Sequence, residues 1–200
     1  MPNAKRRTYN QLMSSGFPIT WTVVQAALYG SLLLAEHVKE YAADHLGVYD
    51  DTRADLVLQL YDAETNPSHE MAVFLDELAA RESPSIEEAN CAERLCNLIF
   101  LKNWLERYPT NPPSEALYDC MDGLITPWFD LPYPATFTIQ FCVTASNYNI
   151  AHDYCSIMMG YRQFNSAEFE ERARFHYARR LTALNGWIRA EEAALGVRWP

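Results

Sequence analysis

Clustered glycines, paired cysteines and long apolar runs are all missing from this 200-residue chain, and each absence removes a class of function. The seven glycines, Gly16, Gly30, Gly47, Gly123, Gly160, Gly186 and Gly196, are widely separated, so neither a phosphate-cradling Walker loop nor a dinucleotide fingerprint exists. The five cysteines, Cys91, Cys96, Cys120, Cys142 and Cys155, are odd in number and never form CxxC, so neither a disulfide framework nor a zinc knuckle is suggested. Cys91 and Cys96 would stand about 140° apart around a helix and cannot face one ligand, so they read as small core residues. There is no GxSxG and no cysteine in a recognisable catalytic context. The apolar run from Ile19 to Ala35 follows Lys5, Arg6 and Arg7 as a targeting signal would. Thr20, Thr22, Gln25, Gly30 and Ser31 interrupt it, however, and it falls short of the roughly 20 apolar residues that a bilayer span needs. It is read as a buried helix, and the chain as cytoplasmic with no membrane partner.

Lysine is also scarce, with three against thirteen arginines, and acid dominates. Residues 19–107 carry sixteen Asp and Glu against six Lys and Arg, which alone equals the chain's formal net charge of −10. Residues 135–200 hold seven Arg against six acids. Opposite ends of the molecule should therefore attract different partners. Half of the residues are apolar (49%), enough for a sizeable core without staples. Six of the eleven prolines, Pro109, Pro112, Pro113, Pro127, Pro132 and Pro134, lie between the two halves. The organisation expected is a basic arm at 1–18, an acidic helical half at 19–107, a proline- and aromatic-rich linker at 108–134 and a C-terminal helical half at 135–200, together one compact domain.

Start signals predict the elements. Thr20 should cap a helix reaching about His45, with Gly47 available to end it. Asp51 or Thr52 opens a second through Tyr61, and Pro67-Ser68 a third through Ala80. Ser85 and Glu88 form a capping box for a helix running to Arg107. Ser114 begins a short helix to about Met121. Asn165 to Glu168 starts the last one, in which Phe169, Ala173, Tyr177, Leu181, Leu184, Ile188 and Leu195 define one buried stripe. Residues 135–143 alternate partly like a strand but read better as helix, because no second strand offers to pair with them. The fold class expected is all-α, a two-lobed helical bundle of about six or seven helices.

Candidate chemistry is sparse. Between Glu36 and His45, helical spacing stacks His37, Tyr41 and His45 along one line and Glu36, Glu40 and Asp44 along the next. Imidazole beside carboxylate suits a divalent cation, yet the two histidines stand about 12 Å apart along a helix, too far to share one ion. No histidine has Glu three positions before it, so a di-iron bundle is excluded. His152-Asp153 is a bare dipeptide with no partners at a recognisable spacing. No metal and no cofactor is expected.

Three surfaces remain. The acidic one centres on Asp62, Glu64, Asp76, Glu77, Glu87 and Glu88. With Asp55 and Glu70 among its other members, it would serve either as a solvated face or as a wall for a basic groove. Arg172, Arg174, Arg179 and Arg180 of the last helix could follow a phosphate backbone, or pair internally with nearby glutamates. Trp104, Tyr108, Trp128 and Tyr133 sit among the prolines, as partner anchors or as a plug between the halves. The leading expectation is a non-enzymatic binding protein, an inhibitor or adaptor, whose acidic half meets a basic protein or nucleoprotein complex, one form being nucleic-acid mimicry. The alternative is an accessory subunit touching nucleic acid through its last-helix arginines. A third is a metal-dependent hydrolase built on Glu36 to His45.

Overall fold

The computed structural model describes residues 2–49, 51–63, 69–124, 131–133, 156, 157, 159 and 167–199. Among them the protein is all-α, with eight helices and no strand: α1 (Pro2–Met13), α2 (Trp21–Tyr29), α3 (Ala35–Asp44), α4 (Thr52–Asp62), α5 (His69–Glu82), α6 (Ile86–Leu105), α7 (Ser114–Gly123) and α8 (Ala167–Leu195). The chain divides into two compact units. The first comprises Met1–Ile99 with Leu195–Pro200, and the second Phe100–Ala194. The segment 135–143, read as helix over strand, lies outside the described residues, as do Pro67, Ser68 and His152-Asp153.

In the first unit, the expected caps start the expected helices. The Thr20 hydroxyl accepts from the Val23 amide at 3.3 Å, and the Asp51 carboxylate accepts from the Arg53 amide at 2.8 Å. At α6 the capping box closes in both directions. The Ser85 amide donates to Glu88 Oε2 at 2.7 Å, and the Glu88 amide donates to Ser85 Oγ at 3.2 Å. These bonds hold the Glu88 carboxyl below its usual range.

The single helix expected from Thr20 to His45 is instead two. Gly30 and Ser31, the latter at φ +58°, turn the chain, and the amides of Leu32 and Leu33 both return to the Ala27 carbonyl. Leu32 and Leu33 stay buried, so the apolar pattern runs unbroken through a turn that the backbone makes. Gly47, at φ +79°, stands just past α3 as expected. The basic arm is itself a helix: α1 buries Tyr9 and Leu12, one helical step apart, with Thr8 beside them. Its end is tied by the Arg198 amide, which donates to the Ser15 carbonyl at 2.7 Å.

Two long-range caps knit this unit. Glu82, the last residue of α5, presents its carboxylate to the start of α2. Oε1 accepts from the Trp21 amide at 2.7 Å, and Oε2 from the Thr22 amide and hydroxyl, both at 2.8 Å. Lys39 of α3 donates to the Ala63 carbonyl at 2.6 Å, just beyond α4. An anion at a helix N-terminus and a cation at a C-terminus each complement the macrodipole and satisfy orphan backbone groups. The interior between these caps is aliphatic, with Val24, Val57, Leu60, Met71, Leu75 and Leu78 essentially inaccessible.

In the second unit the α8 stripe is as expected at its centre. Ala173, Tyr177, Leu181, Leu184 and Ile188 are buried, while Phe169 and Leu195 at its ends are only half-buried. The Tyr177 hydroxyl donates to the Pro109 carbonyl at 2.8 Å, anchoring the proline segment. Tyr108 lies against Gly123, where an added Cβ would come within 2.3 Å of the phenol oxygen, so only glycine fits that approach.

Candidate functional site

The helices α4 and α5 pack against each other, and the Arg81 guanidinium donates to Thr52 Oγ1, so the end of α5 lies beside the start of α4. The pair is therefore antiparallel. α4 turns Leu56, Val57 and Leu60 inward and α5 turns Met71, Leu75 and Leu78 inward. Helical period then leaves Thr52, Asp55, Leu58 and Asp62 on the outer side of α4, and Glu70, Val73 and Glu77 on that of α5, all exposed. The exposed apolar members, Leu58 at 49% and Val73 at 44%, lie at similar levels along the pair, with Tyr61 at 41% nearby. Carboxylates stand beyond them at both ends. From Asp51 to Arg94 the chain carries eleven acids against three arginines. Arg53 pairs with Asp51 at 2.8 Å and Arg81 with Glu77 at 2.5 Å.

The six acids expected at the centre of the surface divide by what they touch. Asp62 and Glu87 are exposed and make no ion pair or hydrogen bond among the described residues. Asp76 accepts from Gln25 Nε2 at 2.7 Å and from the Tyr29 hydroxyl, Glu77 pairs with Arg81, and Glu88 closes the α6 capping box. Burial and the Asp76 carboxylate push the Tyr29 phenol up to about 12, so that bond holds across physiological pH. Glu64 lies outside the described residues. Asp55 and Glu70 are as open as Asp62, and they belong on the α4–α5 face that secondary structure alone had not placed together.

The arginine row does not survive as one surface. Arg174 is held by Glu170 at 2.8 Å, Ser114 at 2.9 Å, Asn111 at 3.1 Å and the Pro112 carbonyl at 2.7 Å. The Ser114 hydroxyl and this guanidinium hold the Glu170 carboxyl below its usual range. Arg180 is buried, at 4% exposure. Only Arg172, lying 5.8 Å over the Phe169 ring, and Arg179 remain exposed. Pairing within the fold was one of the two readings of this row, and for Arg174 it is the observed one.

Among the aromatic residues, Trp104 is 6% exposed and packs as a core residue, its ring tilted 49° against that of Tyr108 with centroids 4.5 Å apart. Tyr108 and Tyr133 are half-buried, and Trp128 lies outside the described residues. Among the exposed aromatic rings that sequence reasoning passed over, Tyr29, Tyr61 and Phe175, the last is the most open, at 63% on the outer side of α8.

The Glu36–His45 segment is α3 itself. His37 is fully buried, Tyr41 donates to the Ile19 carbonyl at 2.8 Å, and the His45 ring lies 4.1 Å from Tyr41 and 5.5 Å from Trp21. These rings are packed as core rather than turned toward a common ligand. Among the described residues no three His, Cys, Asp or Glu side chains converge as a metal site would require. No described helix is long and apolar enough to cross a membrane. Comparison with family models, with curated proteins and with solved structures finds no match for the chain.

Proposed function

We propose that the protein is a binding module whose acidic α4–α5 face engages a basic surface on a larger macromolecular partner. The observation that carries this reading is the grouping of Asp55, Asp62 and Glu70, with Leu58 and Val73 exposed between them, on one side of an antiparallel helix pair. Exposed apolar side chains ringed by carboxylates suit a partner that is both cationic and partly apolar. The charge steers encounter and sets register, and the apolar centre supplies burial. The same apolar interruptions argue against imitation of a nucleic acid, whose charges follow one another every ~1.7 Å along the duplex axis.

Affinity capture from a host lysate tests the reading when run with the wild type, with Asp55→Lys/Asp62→Lys/Glu70→Lys, and with Arg172→Glu/Arg179→Glu. The expected result is a partner retained at low salt by the wild type and by the arginine variant, and lost at high salt and by the acidic-face variant. Equal capture by wild type and the acidic-face variant, or no macromolecule retained at low salt, overturns it. Loss only in the arginine variant would favour the nucleic-acid alternative.

A further inference from the structure

One buried group has no role in that reading, and it joins two helices. His37 of α3 has no solvent exposure, and its ring stacks on Tyr9 of α1 with centroids 5.0 Å apart and planes within 10°. Nδ1 accepts a hydrogen bond from the Leu34 amide at 3.2 Å, which satisfies an orphan donor at the start of α3. An acceptor nitrogen carries no proton, so the proton of the neutral ring sits on Nε2. That atom is buried without a hydrogen-bond partner, 3.7 Å from Glu36 Oε1. Beside the stack, the Arg6 guanidinium of α1 bonds to Glu40 of α3 at 2.5 Å.

We propose that His37 is a proton-sensitive latch that holds α1 on α3 while neutral and releases it on protonation. A second proton has to go to Nδ1, where it abolishes the acceptor for the Leu34 amide and places a cation on a fully buried ring. The charged and titratable groups facing the ring are Lys5, Arg6 and Tyr9 from α1 and Glu36 and Glu40 from α3. The cations oppose the protonated ring and the carboxylates favour it. Burial is the largest influence, so the ring's affinity for a proton lies below the ordinary histidine value. Tyr9, pushed up to about 12, stays neutral throughout. A histidine whose folded value is depressed stabilises the closed form above its ordinary value of ~6.5 and loses that stabilisation as the pH falls below it. Release would uncover Tyr9 and free Arg6 from Glu40, presenting Lys5, Arg6 and Arg7 as a mobile basic segment.

Hydrogen exchange of residues 2–13, corrected for intrinsic rates, tests the latch between pH 7.5 and 5.5, a window above the ordinary carboxylate range. Protection of α1 in the wild type should fall, by at most about tenfold, the ratio of protonated to neutral imidazole one unit below the ordinary histidine value. His37→Asn keeps an acceptor near the Nδ1 position, and His37→Phe keeps the stacked ring. Neither titrates in the window, so both should show protection independent of pH. Wild-type protection that does not change, or the same fall in either variant, overturns the proposal. None of these outcomes bears on the α4–α5 face.

Discussion

Replacing Glu82 by alanine should destabilise the first unit far more than its position at the end of a surface helix suggests. The carboxylate accepts three hydrogen bonds from the start of α2, at 2.7, 2.8 and 2.8 Å, and two of the donors are the first amides of that helix. Trp21 and Thr22 are buried, at 1% and 8% exposure, so water reaches those amides poorly once the acceptor is gone. Loss of a helix N-cap costs about 1 kcal/mol, and a buried donor left unsatisfied about 1–3 kcal/mol more. Glu82 is itself half-buried, and partial hydration of the opened site places the expected total at about 2–3 kcal/mol. In a chain of this length that corresponds to about 5–10 °C in Tm. Glu82→Gln keeps an oxygen for one amide but loses the charge that complements the macrodipole, so it should cost about 1 kcal/mol. Urea unfolding followed by far-ultraviolet circular dichroism measures both, and hydrogen exchange at Trp21 and Thr22 localises the effect. A Glu82→Ala variant within about 0.5 kcal/mol of wild type, the range of ordinary surface substitutions, would refute the reasoning.

The two aromatic residues of opposite exposure should behave oppositely: Trp104→Ala should cost about 3–5 kcal/mol in thermal unfolding, while Phe175→Ser should stay within about 0.5 kcal/mol. Gly186→Ala should raise stability by about 0.5–1 kcal/mol, since the added Cβ meets nothing within 4 Å in mid-helix. Gly123→Ala should lower stability in the same assay by about 1–2 kcal/mol, because the Tyr108 ring has to leave its place against Trp104. The carboxyls of Asp51, Glu88 and Glu170 are all held below their usual range by hydrogen bonds. Their stabilisation should be present above the ordinary carboxylate value and disappear as the pH falls through the lower folded values. Urea midpoints measured from pH 6 to pH 2 should decline over that interval, and less steeply in Glu170→Gln.

Local chemistry was legible in the sequence wherever a structural feature is decided within one turn of chain. Thr20, Asp51 and the Ser85–Glu88 box start helices because their side chains reach amides two or three residues on, and that geometry needs no knowledge of the fold. The spacing of Ala173, Tyr177, Leu181, Leu184 and Ile188 exposed the buried side of α8 for the same reason. The break between α2 and α3 was hidden because Leu32 and Leu33 are buried in the turn as they would be in a helix. The signal that remained was the Gly30-Ser31 pair. α1 was hidden by its charges, although Thr8, Tyr9 and Leu12 carried a helical spacing that could have revealed it.

The candidate site depended on distance in the chain. Glu82 caps a helix sixty-one residues earlier, so nothing local distinguishes it from Glu77 or Glu87. The acidic surface was legible as a quantity of charge, but which acids remain available depends on neighbours. Asp76 is taken by Gln25 and Tyr29, and Glu77 by Arg81, while Asp55 and Glu70 are left open. The same holds for the arginines, where Arg174 finds its partners around residues 111–114 and Arg180 goes into the interior.

The claim that a cationic partner docks on the outer side of α4 and α5 is tested most directly by mapping contacts in the captured assembly. A zero-length carboxyl-to-amine cross-linker, followed by mass spectrometry, reads which acids approach the partner's lysines. Cross-links should concentrate on Asp55, Asp62 and Glu70 and vanish at high salt. Links confined to Glu168, Glu171 or other acids of α8, with α4 and α5 unmodified, would contradict the account.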